Sequence, residues 1–300
     1  MGVEAVVTSM HGGFVFVRTG DGRIVRSTAR GRLKHRSLDL LVGDRVRIAF
    51  SPAGAAVVEE VLARRTQLLR PPMANADLAV LVQAVCEPAP SLVFLDRLLI
   101  QAQAAGLSVV IVWNKADLDP GRAAGLAAIY RAAGFDTWTA SAVTGEGIAE
   151  LVRVMTGRLS VFAGPSGVGK TSLLNAVIEG AELTTQAVSA RNRRGRHTTR
   201  LTQLLPLKGG GLVADTPGFT SLRLPSMKTE ELRNYYPEFV PLAGLCCFRG
   251  CRHDREPSCA VKEAVAAGRI DPGRYERYRQ FLAELDQVKE PRKSGADKDE

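Results

Sequence analysis

Gly164-Pro165-Ser166-Gly167-Val168-Gly169-Lys170-Thr171 fits the pattern G-x-x-x-x-G-K-[ST]. An apolar, β-branched run at residues 159–163 precedes it, and residues 172–178 carry helical spacing. Strand, glycine-rich loop and helix in that order form a phosphate-binding loop. Its backbone N–H groups and the helix N-terminus cradle the α- and β-phosphates of a nucleotide. Lys170 is placed to reach the β/γ oxygens and Thr171 to ligate magnesium, so every residue from Gly164 to Ser172 is a candidate nucleotide contact. A chance glycine-rich turn would need neither flank.

Upstream, residues 77–85 read as a buried strand, residues 92–105 as a helix closed by Gly106, and residues 108–113 as a second buried strand. That second strand delivers Asn114-Lys115-Ala116-Asp117 at its carboxyl end, where ligands bind in open α/β sheets. The Asp117 carboxylate can accept paired hydrogen bonds from the ring N–H and exocyclic amine of guanine, a donor pair that adenine lacks. Asn114 and the Lys115 stem buttress the base and the loop. Thr139-Ala140-Ser141-Ala142 follows another short strand, and small residues at Ser141 and Ala142 let a backbone N–H approach the guanine carbonyl.

Downstream, residues 212–214 form a strand ending in Asp215-Thr216-Pro217-Gly218. Asp215 fits a carboxylate that holds magnesium through water, and the Gly218 N–H fits a sensor of the γ-phosphate. Between the two lies Gly195-Arg196-His197-Thr198-Thr199. One of its threonines is expected to meet magnesium and the γ-phosphate when a switch loop closes. Spacing alone does not choose between Thr198 and Thr199; Thr199 joins Thr171 and Asp215 as the candidate magnesium ligands. Ordinary GTPases carry the phosphate loop first and N-K-x-D fourth. Here guanine recognition comes first, so the set is complete but circularly permuted. Where many GTPases place a water-orienting glutamine shortly after this glycine, the chain has Phe219, which cannot orient water. His197 is the neutral-capable base in that region and the candidate for the missing role; the plainer reading is a solvated loop histidine between arginines.

Composition sets the frame. The chain has 300 residues, 45% hydrophobic and 24% charged, long enough for more than one core and unlike a disordered chain. Its net charge of +9 favours an anionic partner, nucleic acid before membrane. No run approaches the length of a membrane span, residues 1–8 do not resemble a signal peptide, and five cysteines are too few for a disulfide scaffold. A cytoplasmic monomer without membrane attachment is expected.

Residues 1–66 hold five short β-like runs (3–8, 14–18, 23–27, 45–50 and 55–62) separated by glycine-rich turns, the pattern of a small barrel of the oligonucleotide-binding type. Arg18, Arg23, Arg26, Arg30, Arg32, Lys34 and Arg36 face one acid, Asp21, over this region, and a second cluster runs from Arg191 to Arg200. Both suit RNA phosphates, although a solvated loop would read the same way. The tail from Asp286 to Glu300 reads as disordered.

Leu245-Cys246-Cys247-Phe248-Arg249-Gly250-Cys251-Arg252-His253 and Cys259 concentrate four of the five cysteines. Thiols and an imidazole this dense point to a structural zinc site. Cys251, His253 and Cys259 belong to it, and the fourth ligand is Cys246 or Cys247; the plain alternative is a group of free buried thiols. Two helical patterns follow, at residues 260–267 and 272–288. The second carries a stripe of Tyr275, Tyr278, Phe281, Leu282 and Leu285 that reads as packing. Cys86, on a strand, reads as inert core.

With these motifs in this order, the chain resembles the bacterial ribosome small-subunit-dependent GTPases, circularly permuted GTPases of late small-subunit assembly. The likeness runs through the barrel, N-K-A-D, T-A-S-A, G-P-S-G-V-G-K-T-S, G-R-H-T-T, D-T-P-G-F and the cysteine cluster. It implies three parts: an oligonucleotide-binding barrel over residues 1–66, a circularly permuted P-loop GTPase α/β domain over 67–224, and a helix-rich zinc domain with its tail over 225–300. It further implies hydrolysis of GTP to GDP stimulated by the small ribosomal subunit, contact with its rRNA near the decoding region, and release afterwards. The family's pattern C-x-x-x-x-C-x-H-x-x-x-x-x-C places zinc on Cys246, Cys251, His253 and Cys259, and its G-R-H-T-T histidine falls on His197. Two rival functions compete: a nucleotide-gated RNA-binding scaffold with little hydrolysis, and a P-loop kinase or ATPase, which would have no use for Asn114 and Asp117.

Overall fold

A computed structural model describes residues 2–29, 40–52, 54–69, 71–180, 202–215 and 223–289. His197, Thr198, Thr199, Gly218, Phe219, the Arg191–Arg200 cluster, four of the N-terminal basic residues (Arg30, Arg32, Lys34 and Arg36) and the tail from residue 290 lie outside the described residues. The chain divides into two compact units, Met1–Ala128 with Asp136–Leu222, and Ile129–Phe135 with Arg223–Glu300.

The first unit opens with β1 (Val3–His11), β2 (Phe14–Thr19), β3 (Ile24–Ala29), β4 (Arg45–Phe50) and β5 (Ala56–Val61), closed into a barrel in the order β1-β2-β3-β5-β4. Strict alternation puts Val15 and Val17 of β2, and Val46 and Ile48 of β4, inside with Val7 and Val58, while Arg45 and Arg47 point outward. A register shift between Val7 and Ser9 lets β1 bend around the closing barrel.

After β5 the backbone makes a small hairpin, β6 (Gln67–Leu69) and β7 (Pro72–Ala74), that the sequence pattern does not announce. It ties the barrel to the next sheet. Gly43 sits at φ +89, and a Cβ there would stand 2.0 Å from the Ala74 carbonyl oxygen. The Asn75 side chain donates to the Gly43 carbonyl (3.0 Å) and accepts from the Arg65 N–H (2.8 Å). Buried Asp44 takes the Arg64 guanidinium at 2.7 and 2.9 Å, and Asp77 accepts the Leu159 N–H at 2.9 Å.

The sheet that follows has six strands: β8 (Leu78–Ala84), β9 (Ser108–Asn114), β10 (Asp136–Thr139), β11 (Leu159–Ala163), β12 (Gln203–Pro206) and β13 (Leu212–Asp215), in the spatial order β10-β9-β8-β11-β13-β12. All pairings are parallel except the edge strand β12. Every residue of β8 and β11 is buried, which explains why these runs read as continuously apolar rather than alternating. The helices are α1 (Leu92–Ala104), α2 (Pro120–Ala132), α3 (Ile148–Met155) and α4 (Lys170–Val177). Leu151 and Met155 of α3, with Leu173, Leu174 and Val177 of α4, pack on one sheet face against Val80, Val82 and Phe162. Cys86 departs from its expectation: β8 stops at Ala84, and Cys86 lies half-buried in the bend beyond it.

The second unit holds two 3-10 helices, Thr229–Tyr235 and Val240–Leu245, then α5 (Ala260–Ala266) and α6 (Pro272–Lys289). Leu232, Tyr236, Phe239, Tyr278, Phe281 and Leu282 form its apolar centre, with Tyr278 edge-on to both Tyr236 and Phe239. Arg274 is 1% exposed; its guanidinium meets Glu238 at 2.9 Å and lies 4.6 Å from the Tyr236 ring centroid and 5.3 Å from that of Tyr130.

Candidate nucleotide site and metal cluster

The parallel strands deliver the sequence motifs to one sheet edge. Asn114 ends β9, Ser141 follows β10, the phosphate loop follows β11, and Asp215 ends β13, each at a carboxyl terminus. Asn114 joins three of these loops. Only 2% exposed, it donates from Nδ2 to the Val168 carbonyl at 2.8 Å and accepts the Ala142 N–H at 3.3 Å. The Ala116 N–H bonds the Ala140 carbonyl at 3.1 Å, so the N-K-A-D and T-A-S-A segments also share a backbone contact. Asp117, in a short 3-10 turn (Ala116–Leu118), is exposed and free to meet a base. Ser141 is fully buried and turns its hydroxyl inward to accept from Val143 (3.3 Å) and Thr144 (3.1 Å), which holds the loop rather than a ligand.

The phosphate loop needs its glycines for contact as well as curvature. At Gly169 (φ +89) a Cβ would lie 2.2 Å from Asn114 Nδ2, so no other residue allows the asparagine to reach Val168. Lys170 begins α4 and turns its ammonium onto the loop's own carbonyls, Gly164 at 2.9 Å and Pro165 at 2.5 Å. Burial lowers its pKa to about 8, because a desolvated ammonium without a counter-anion is disfavoured. Thr171 is half-buried and Ser172 exposed at the start of the helix. The Glu87–Pro88 bend was not anticipated: Lys115, in the left-handed region at φ 60, donates its ammonium to the Glu87 carbonyl, and a Cβ at Gly167 would stand 3.5 Å from Pro88 Cδ. Its signal in the sequence is a Glu-Pro pair just past a buried strand.

In the second unit Cys246, Cys251, His253 and Cys259 turn one ligand atom each toward a common point, all four within 4.8 Å of one another. The Cys246 and Cys259 sulfurs are 4.0 Å apart, and His253 Nδ1 lies 3.6 Å from Cys246 Sγ and 3.3 Å from Cys259 Sγ. A tetrahedral ion with metal–sulfur bonds of about 2.3 Å and metal–nitrogen bonds of about 2.0 Å has edges of about 3.8 and 3.5 Å, so the donors fit one such ion. Cys247 is exposed and outside the group; the pair left open by spacing resolves to Cys246. Burial pushes the Cys251 thiol up to about 12 and the His253 imidazole down, so the pocket favours neutral ligands until a cation enters. The ligand loop is pinned from outside: Arg233 donates to the Cys251 carbonyl (2.8 Å), Tyr278 to that of Arg252 (2.6 Å) and Tyr275 to that of His253 (2.8 Å). The tyrosine stripe of α6 thus packs and also buttresses this loop. Among the described residues no helix is long and apolar enough to cross a membrane.

Comparison with known proteins agrees with this architecture. Residues 5–58 match the RsgA N-terminal domain and residues 61–225 the RsgA GTPase. The protein of Moorella thermoacetica named small ribosomal subunit biogenesis GTPase RsgA is 47% identical over 283 residues, 94% of this chain and 97% of that protein; its namesake in Carboxydothermus hydrogenoformans is 43% identical over 284. The crystal structure of YjeQ from Thermotoga maritima superposes with a TM-score of 0.84 at 37% identity, covering 97% of this chain and 100% of that one. YloQ, described as a circularly permuted GTPase, superposes at 0.81 with 31% identity and 97% coverage of both. Barrel, permuted sheet and cysteine–histidine cluster together identify the chain as a member of the RsgA GTPase family.

Proposed function

We propose that this chain, a GTPase of the RsgA family, acts as a cytoplasmic monomer on the small ribosomal subunit late in its assembly, hydrolysing GTP to GDP and phosphate when bound there. The reading rests on one observation above all: Asn114 bridges the phosphate loop and the T-A-S-A loop beside an exposed Asp117, which aligns a guanine site with a phosphate site. In this reading Asp117 accepts the guanine N–H pair, and Asn114, Lys115, Ala116, Ser141 and Ala142 shape the base pocket. The N–H groups from Gly164 to Ser172 and the Lys170 ammonium hold the phosphates. Lys170 leaves the Gly164 and Pro165 carbonyls to do so and regains a full charge against the triphosphate.

Magnesium with GTP supplies neutralisation of the phosphate charge. Its ligands here are Thr171 and Asp215 with Thr199 or its neighbour Thr198, and Gly218 senses the γ-phosphate. His197 orients the attacking water in place of the glutamine that Phe219 excludes. Zinc is the ion of the Cys246–Cys251–His253–Cys259 cluster, in a structural role, since four protein ligands leave no open position. The basic clusters bind rRNA phosphates, and the chain works as barrel, GTPase and metal domains over residues 1–66, 67–224 and 225–300. GTP turnover measured with and without purified small subunits tests this. Strong stimulation is expected, whereas equal low rates with tight subunit binding would favour the nucleotide-gated scaffold.

A further inference from the structure

Phe248-Arg249-Gly250-Cys251 is a closed turn: the Cys251 N–H bonds the Phe248 carbonyl at 3.1 Å, and Gly250 takes φ +81 at the third position, the signature of a type II turn. Its two ends are fixed, with Cys246 just before it and Cys251 at its close both in the four-residue cluster. The side chains displayed between them have no internal task. Phe248 is 49% exposed, and among the described residues Arg249 makes no hydrogen bond or ion pair. A single exposed aromatic is ordinary on a protein surface; what sets this one apart is the adjoining guanidinium, unpaired among the described residues, on a turn whose two ends carry cluster residues.

The neighbouring charges sharpen the sign. The acids near the turn are already engaged: Asp286 by Arg252, Asp254 by Arg279 at 3.0 Å, and Glu256 by the N–H groups of Arg252 and Asp254. Arg255 is 95% exposed, with only a 3.7 Å approach to Asp254. The turn therefore offers an aromatic face next to Arg249, a cation with no acid partner among the described residues.

We propose that this turn is a docking point for an unpaired RNA base, which stacks on Phe248 while Arg249 meets the adjoining phosphate. Any base has a π-face, so the contact is tolerant of sequence, and a backbone already fixed by the turn loses little freedom on binding. This rests on the small-subunit reading above and adds to it a single-stranded contact apart from the basic clusters. Leu245 (69% exposed) would make a purely apolar protein contact the rival occupant. The two differ in what they demand of residue 248: stacking needs an aromatic face, and apolar burial needs only a large aliphatic side chain.

The test uses the full chain and a short single-stranded oligouridylate, with the corresponding RNA duplex as control. Phe248→Trp introduces a reporter, and its emission should be quenched by the single strand and not by the duplex. Phe248→Ala should weaken oligouridylate binding about five- to a hundredfold, the range for losing one base–aromatic stack. Phe248→Leu should lose as much and Phe248→Tyr little. Unchanged metal content and melting confirm that each variant is folded. No quenching, or full oligouridylate binding by the Leu variant, overturns the proposal. Binding of parent and Phe248→Ala to purified small subunits separates the two readings. If the parent fails to bind, the small-subunit assignment falls; if both bind equally, only the stacking contact falls.

Discussion

At the nucleotide site, loops leave the carboxyl ends of strands whose side chains are almost entirely buried, and main-chain groups and one asparagine hold them together. At the cysteine–histidine cluster, the ligands come from a 3-10 helix end, a turn and the residue before α5, and the four donor atoms themselves are the meeting point. The first region is shaped by a large core before any ligand arrives. The second gathers buried donor atoms around one point, where burial keeps the thiols protonated in the absence of a cation. A site scaffolded by a sheet tolerates loss of its ligand; a site that is its own scaffold does not.

Metal removal is the strongest test of that contrast. Structural zinc in small domains is worth about 10–16 kcal/mol of apparent binding free energy. Chelation or Cys251→Ala should therefore unfold much of residues 223–289 as followed by hydrogen exchange, while guanine nucleotide still binds. Cys247→Ala, at an exposed thiol, should change neither metal content nor melting. Simultaneous loss of nucleotide binding would make the two regions one cooperative unit and break the comparison.

Within the first region, binding and catalysis should separate. His197→Ala is expected to lower the subunit-stimulated rate by about 10²–10⁴ and leave GTP affinity intact. A variant stimulated as strongly as the parent would remove His197 from the chemistry. Asp117→Asn should act on binding alone. Losing hydrogen bonds worth about 1.5–3 kcal/mol each to a charged acceptor weakens GTP about ten- to a hundredfold or more and favours the xanthine nucleotide, which carries a carbonyl where guanine has an amine. Titration with both nucleotides reads this directly.

The smallest effect comes from Lys170. Its pKa of about 8 in the free protein is depressed by burial, and a bound triphosphate raises it again. GTP binding should therefore take up a proton above pH 8. Affinity should fall as pH rises from 8 toward the lysine's value in the complex, and stay flat below pH 8, where the ammonium is charged in both states. Calorimetry at one alkaline pH in buffers of different ionisation enthalpy detects that proton; its absence would mean the phosphates do not meet Lys170.

Much of the first region was legible because its signals are local. The apolar runs of β8, β9 and β11 and the glycines after β11 announce strand and loop without long-range information. The hairpin of β6 and β7 was not legible, since three-residue strands carry no periodicity and are stabilised by the adjoining Asn75 reaching Gly43, 32 positions upstream. Cys86 was misplaced for a related reason. The apolar pattern runs two residues beyond the last paired position, and only the sheet decides where pairing ends.

From sequence alone came the permuted order of the motifs, the assignment of Asn114, Asp117 and Lys170 as candidates for guanine and phosphate contact, and the density of cysteine and histidine around Cys251. Those follow from side-chain chemistry and short spacings, which the linear chain carries in full. Tertiary structure alone decided that Asn114 reaches the Val168 carbonyl 54 positions away and that Tyr275 and Tyr278 hold the ligand loop, and it turns Cys246 rather than Cys247 inward, as the family pattern implies. Each of these is a choice between near-equivalent local options, settled by what the rest of the fold places within hydrogen-bonding or coordinating distance.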